Sequence, residues 1–239
     1  MALETHIDVR VLSQGAKFIG TSMGGVEITL HDADTGELLA LGKTTGGTGD
    51  TDRIMKQHHP RAGVVATYAA ARYRATLDLN EPRQIRVTAR GPLAQRQAMN
   101  TVSATRWVVP GKHVTGGNGW LLEMPGFVVD ILDPPAHKSL RGTPVEVPVA
   151  ANVTMMCGCP VTPGGLWDAD QYEVTALIRR NGETSGEQVL DYAGTSSQFA
   201  GTLRLKQPGS YEITVYAYDP ATGNTGIDKT TFNVSPDQN

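Results

Sequence analysis

Cysteine is nearly absent from this chain: two stand in 239 residues, Cys157 and Cys159, and only one residue separates them. So close a pair cannot be the bridge that ties distant strands of the two sheets in an antibody domain. Aromatic residues make up 6% of the chain and no basic stripe carries them interleaved, which argues against electrostatic capture of nucleic acid. No apolar run comes near the roughly 20 residues that a membrane-spanning helix requires. The stretch Met1 to Arg10 also lacks the basic start and apolar core of a signal peptide. The catalytic signatures sought are missing too. There is no G-x-S-x-G elbow, no H-E-x-x-H helix, no C-x-x-C redox pair and no Gly-Lys-Ser/Thr end to the glycine-rich run Thr44 to Gly49. The expectation is a chain that is not an enzyme.

Turn residues are what the chain has in quantity, 27 Gly and 14 Pro against 19% charged residues, a balance that suits many short strands. Its length exceeds the roughly 100 residues of a single sandwich, so two modules are expected. Charge divides unevenly between them. Residues 1–126 carry 14 Lys and Arg against 11 Asp and Glu, and residues 127–239 carry 7 against 13.

In the first half, Gly25-Val26-Glu27-Ile28-Thr29-Leu30-His31 alternates with period two, meets Asp32-Ala33-Asp34-Thr35-Gly36, and resumes in Glu37-Leu38-Leu39-Ala40. This predicts a hairpin with an Asp/Gly turn. The run resembles the ascending hairpin of carboxypeptidase regulatory-like or transthyretin-like modules. Lys43 to Arg53 reads as a flexible connector, continuing through His58-His59-Pro60. Alternation returns in 72–79, in Gln84 to Ala89 and in Val102 to Val109, and a short strand is expected over Leu121 to Met124.

The second half opens on Phe127 to Asp133 and closes on Pro208-Gly209-Ser210-Tyr211-Glu212-Ile213-Thr214-Val215-Tyr216-Ala217-Tyr218-Asp219, a turn over 220–226, and Ile227 to Val234. In the closing run Tyr211, Ile213, Val215 and Ala217 face the core, while Tyr216 and Tyr218 form an outward contact patch or pack over neighbouring strands. This ending resembles the last two strands of bacterial Ig-like domains. The resemblance implies an all-β chain of two immunoglobulin-like β-sandwich domains in tandem, residues 1–126 and 127–239. It also implies an exported, periplasmic or extracellular protein whose leader has been removed, with a cytoplasmic origin as the alternative.

The distinctive chemistry lies in Met155-Met156-Cys157-Gly158-Cys159-Pro160, for which three readings stand. The cysteines form a local disulfide; or their thiolates join the thioethers of Met155 and Met156 as a soft metal site suited to Cu(I); or they are inert buried thiols. The loop is expected to be exposed or half exposed. Zinc would need a remote ligand such as His58, His59 or His137. The pair His58-His59 suits copper or nickel on a solvated loop, and Asp32 to Glu37 echoes a calcium loop without its terminal Glu.

Function is read as an exported binding or assembly module with a protein partner or a second copy of itself, an accessory to a surface or electron-transfer apparatus. The alternatives are a periplasmic copper-binding protein and a fragment of an adhesin or filament subunit. A two-sandwich pilus chaperone fits only in architecture.

Overall fold

The computed structural model describes residues 1–60 and 63–236. Strands take 56% of the chain and helical turns 6%, so the all-β expectation holds. No helix among the described residues is long and apolar enough to cross a membrane. The chain divides into two β-sandwich units of the immunoglobulin-like kind. The first comprises Met1–Pro125 with Met156–Gly158, and the second comprises Gly126–Met155 with Cys159–Asn239.

Among its described residues the first unit has seven strands: β1 (Leu3–Ser13), β2 (Glu27–Asp32), β3 (Leu38–Lys43), β4 (Tyr73–Leu79), β5 (Arg83–Gly91), β6 (Asn100–Val108) and β7 (Trp120–Met124). One sheet runs β4-β1-β7, with β1 antiparallel to β4 and parallel to β7. The other runs β3-β2-β5-β6 and is antiparallel throughout. Alternation explains its core: Ile28 and Leu30 of β2 and Ile85, Val87 and Ala89 of β5 are all fully buried. They are joined in the buried core by Ile7, Val9 and Val11 of β1. The predicted hairpin is β2–β3, in register Glu27↔Lys43 to Leu30↔Ala40.

The second unit has nine among its described residues: β8 (Phe127–Asp133), β9 (Lys138–Arg141), β10 (Val145–Met155), β11 (Glu173–Arg180), β12 (Glu183–Val189), β13 (Asp191–Tyr192), β14 (Gln198–Leu205), β15 (Gly209–Tyr218) and β16 (Thr225–Ser235). The sheets run β13-β14-β10-β8 and β12-β11-β15-β16-β9. If β9 and β12 are set aside as additions, the remaining seven strands fall in the order 4-5-2-1 in one sheet and 3-6-7 in the other. That is the immunoglobulin arrangement. A second hallmark accompanies it: the Tyr211 hydroxyl, at the start of β15, donates to the Gln207 carbonyl at 2.7 Å, and its ring stacks on Phe232 at 5.4 Å. This is the tyrosine corner, in which a phenol closes the turn between two strands and leaves its ring in the core. Ile213, Val215 and Ala217 follow it inward, as the alternation requires.

Candidate functional site

The Met155–Cys159 loop leaves the end of β10. No cysteine is free and both are disulfide-bonded, so Cys157 pairs with Cys159. Gly158 makes the close approach possible, since it sits at φ +78°, where a side chain would be strained. The Met155 amide donates to the Cys159 carbonyl at 3.1 Å, and Thr154 bridges Pro160. The sulfur side chains of the loop are not exposed as expected: Met155, Met156, Cys157 and Cys159 are all buried, with the cysteines 2% and 5% exposed, and exposure is left to Gly158 and Pro160. The reason is compositional, because thioethers and a disulfide are apolar and pack as core once the thiols are bonded. Ser197 holds both legs of the loop. It accepts from the Val153 amide at 2.7 Å, donates its own amide to the Val161 carbonyl at 2.8 Å, and accepts the Val161 amide on its hydroxyl at 3.0 Å. Nothing in the spacing of the sequence pointed to Ser197.

The other expected metal residues do not converge. Among the described residues no group of three or more His, Cys, Asp and Glu is placed to hold a metal ion. His58 and His137 are exposed, and the His59 ring is bonded to the Arg53 carbonyl. Asp32 is committed to its turn, with Oδ1 accepting from the amides of Thr35 at 2.9 Å and Asp34 at 3.0 Å. The Thr35 amide is the main reason its carboxyl lies below the ordinary carboxylate range.

The run Thr44 to Gly49 is a bonded strap and not a loose connector. Thr45 exchanges two backbone hydrogen bonds with Arg72, Gly47 exchanges two with Ala69 and Ala71, and Gly46 accepts from the Thr21 amide. Gly46 is required there: its φ is +130°, and a Cβ would lie 2.8 Å from the Ala71 Cα.

The strap fixes the backbone of a charge cluster that the sequence reading did not find. Asp8 and Arg10 of β1 are buried at 3% and 6% exposure. Arg74 of β4 clamps Asp8 through two parallel bonds, Nε to Oδ1 at 2.7 Å and Nη2 to Oδ2 at 2.8 Å. Arg72 Nε stands 3.9 Å from Asp8 Oδ2. The bidentate bond holds the Arg74 guanidinium charged more firmly than usual, while burial, and then Arg72, push the Arg10 proton affinity down.

In the second unit, the open face of the five-stranded sheet carries a groove of about 570 Å³. Cross-strand register builds it. One row runs Glu187, Leu177, Thr214 and Lys229, and the next runs Val189, Thr175, Tyr216 and Ile227. Leu177, Val189 and Ile227 are 42%, 57% and 43% exposed, with Arg179, Glu187, Glu212 and Lys229 around them. Apolar side chains set in a charged border are the composition of a contact surface.

No protein-family model and no curated protein matches the chain. Among solved structures it is similar to the fibronectin(III)-like modules of Clostridium thermocellum CbhA, at 12% identity over 98% of this chain and 95% of that one, with a TM-score of 0.33. It is also similar to the titin domains z1z2 in complex with telethonin, at 9% identity over 100% and 98%, with a TM-score of 0.27. An engineered protein matches over 55% of the chain at 17% identity and a TM-score of 0.32; the chain spans 24% of its length. At these scores the fold rests on the strand order of the units themselves.

Proposed function

We propose that this chain is an exported, non-enzymatic binding or assembly module that meets a protein partner through the open face of its five-stranded sheet. The observation that carries this is the exposure of Leu177, Val189 and Ile227 in adjacent rows of one sheet face. Export is supported by the Cys157–Cys159 bond, because disulfides persist in oxidising compartments. The Asp/Gly hairpin of the first unit supports its reading as a carboxypeptidase regulatory-like or transthyretin-like module, and the strand order of the second supports a bacterial Ig-like domain.

A photo-crosslinking residue in place of Leu177, introduced in the native host, is expected to trap one discrete species, either a partner or a second copy. The same residue in place of exposed Thr202, on the other sheet, should trap none. Equal labelling from both positions, or none from Leu177, refutes the assignment of this face.

The copper reading applies to the reduced chain, since only cleavage of the bond frees thiolates beside Met155 and Met156. The oxidised protein is expected to show no titratable thiol, native or denatured, and two after reduction. A ring this small restricts the unfolded chain little, so reduction should lower stability by only about 1–2 kcal/mol. Anaerobic Cu(I) titration of the reduced protein, compared with Cys157→Ser/Cys159→Ser, then decides whether the pair is more than structural. Equal copper affinity in the two proteins closes the copper reading.

A further inference from the structure

The charge cluster of the first unit does not balance. Three guanidinium groups, of Arg10, Arg72 and Arg74, gather around one carboxylate, that of Asp8, and they line a concavity of about 390 Å³. Each Asp8 oxygen is engaged by the Arg74 clamp, and Arg72, at 3.9 Å, adds an ion pair that is beyond hydrogen-bond distance. The cluster therefore carries two positive charges in excess of its one carboxylate. Arg10 is more than nine-tenths buried. Its Nη1 donates to the carbonyls of Ala70 and Ala71, and its Nε meets no acceptor among the described residues. A buried cation whose neighbours are also cations is costly, and the penalty falls once an anion enters. Arg72 is partly open to solvent and is held in place from two sides. Its Nη1 donates to the Tyr68 carbonyl at 3.2 Å, and its guanidinium carbon lies 5.1 Å from the centre of the Tyr68 ring. The glycine strap holds its backbone from the other side.

We propose that this concavity, between β1, β4 and the segments at Ala66 to Tyr68 and Thr115 to Gly117, binds an oxyanion, the phosphate, sulfate or carboxylate group of a small ligand, with Arg10 and Arg72 as its principal donors. Planar guanidinium forks match such groups geometrically, and a preset fork loses little freedom on binding. The excess of basic residues in the first half of the chain favours approach of the anion. This site is independent of the sheet face in the second unit, so either assignment can fail alone.

Calorimetric titration of the full chain with inorganic phosphate, at constant ionic strength set with chloride, is expected to show one saturable site. Arg72→Gln should weaken it at least tenfold, and Arg72→Lys should keep part of the affinity, with unchanged melting in the absence of phosphate for both. Acetate in place of phosphate separates a carboxylate ligand from a phosphate ligand. Should Arg72→Gln fail to fold, NMR of the wild-type protein gives the same answer: phosphate should shift the Arg10 and Arg72 side-chain signals and leave distant arginines such as Arg204 unmoved. Phosphate and acetate that bind no better than chloride, an Arg72→Gln protein that binds like wild type, or shifts spread evenly over all arginines would each overturn the proposal.

Discussion

Replacing Asp8 with alanine is expected to remove about 3–5 kcal/mol of stability from the first unit, the usual loss when the charge that compensates a buried ion, here Arg10, is deleted. Out of a typical total of about 5–15 kcal/mol, that is enough to leave β1 and β4 unprotected from hydrogen exchange at room temperature. The reason is the geometry around the carboxylate. Asp8 takes both bonds of the Arg74 fork and, among the described residues, is the only acid lining that concavity, where three guanidinium groups stand together. Without it, three like charges face one another around a side chain, Arg10, that is 6% exposed. Asp8→Asn should lose less, because an amide oxygen still accepts one bond from Arg74 although it supplies no charge. Added phosphate should restore part of the loss in Asp8→Ala if an anion can occupy the cluster. Urea unfolding, with exchange measured on peptides of β1 and β4, reads all three. A change below about 0.5 kcal/mol, the size of an ordinary surface substitution, would show that the arginines are solvated in the folded state and that Asp8 does not hold them.

The same residues explain where the sequence was hard to read. The hairpin β2–β3, the strands β4 to β7 and the closing pair β15–β16 announce themselves because one face is apolar and the other polar, so period two survives in the composition. In β1 it does not. Thr5, Ile7, Asp8, Val9, Arg10, Val11 and Ser13 are all buried, so the strand is enclosed on both faces, and its outward face is an ion cluster that reads in sequence as solvent-exposed polarity. A buried polar residue is legible only together with its partner, and Arg72 and Arg74 lie more than sixty positions away. The strap over Thr44 to Gly49 was misread for a related reason. Glycine marks flexibility and close backbone approach alike, and only the neighbouring Ala71 tells which applies. The Cys-Gly-Cys loop was found by composition, but its burial was not, because bonding turns two reactive groups into an apolar one. The outward face of the five-stranded sheet shows in the sequence only at Tyr216 and Tyr218 of its closing strands. Its other apolar members, Leu177 and Val189, come from strands whose positions the sequence pattern did not reveal.

Asn224 carries the second large expectation. It is 3% exposed, just ahead of β16, and its side chain reads the backbone of Gly126 on both sides, as the Gly126 amide donates to Oδ1 and Nδ2 donates back to the Gly126 carbonyl at 3.1 Å. This gives a physical reason for the Gly223-Asn224 pair in the closing turn. Gly223, at φ +74°, reverses the chain, and Asn224 offers a separate donor and acceptor atom, which meet the N–H and C=O of one residue. The clamp fixes the start of β8, where Gly226 lies so close that a Cβ would sit 2.3 Å from the Phe127 carbonyl oxygen. Asn224→Ala would leave one amide and one carbonyl buried without partners, each worth about 1–3 kcal/mol, so a loss of about 2–5 kcal/mol from the second unit is expected. Asn224→Asp keeps the acceptor and loses the donor while burying a charge, and it should be at least as damaging above the carboxylate range, recovering as pH falls and the acid protonates to supply the missing donor. Denaturant unfolding of both variants from acid to neutral pH reads this. The clamp is disproved if Asn224→Ala unfolds within about 0.5 kcal/mol of wild type, or if Asn224→Asp shows no gain relative to wild type as the solution is acidified.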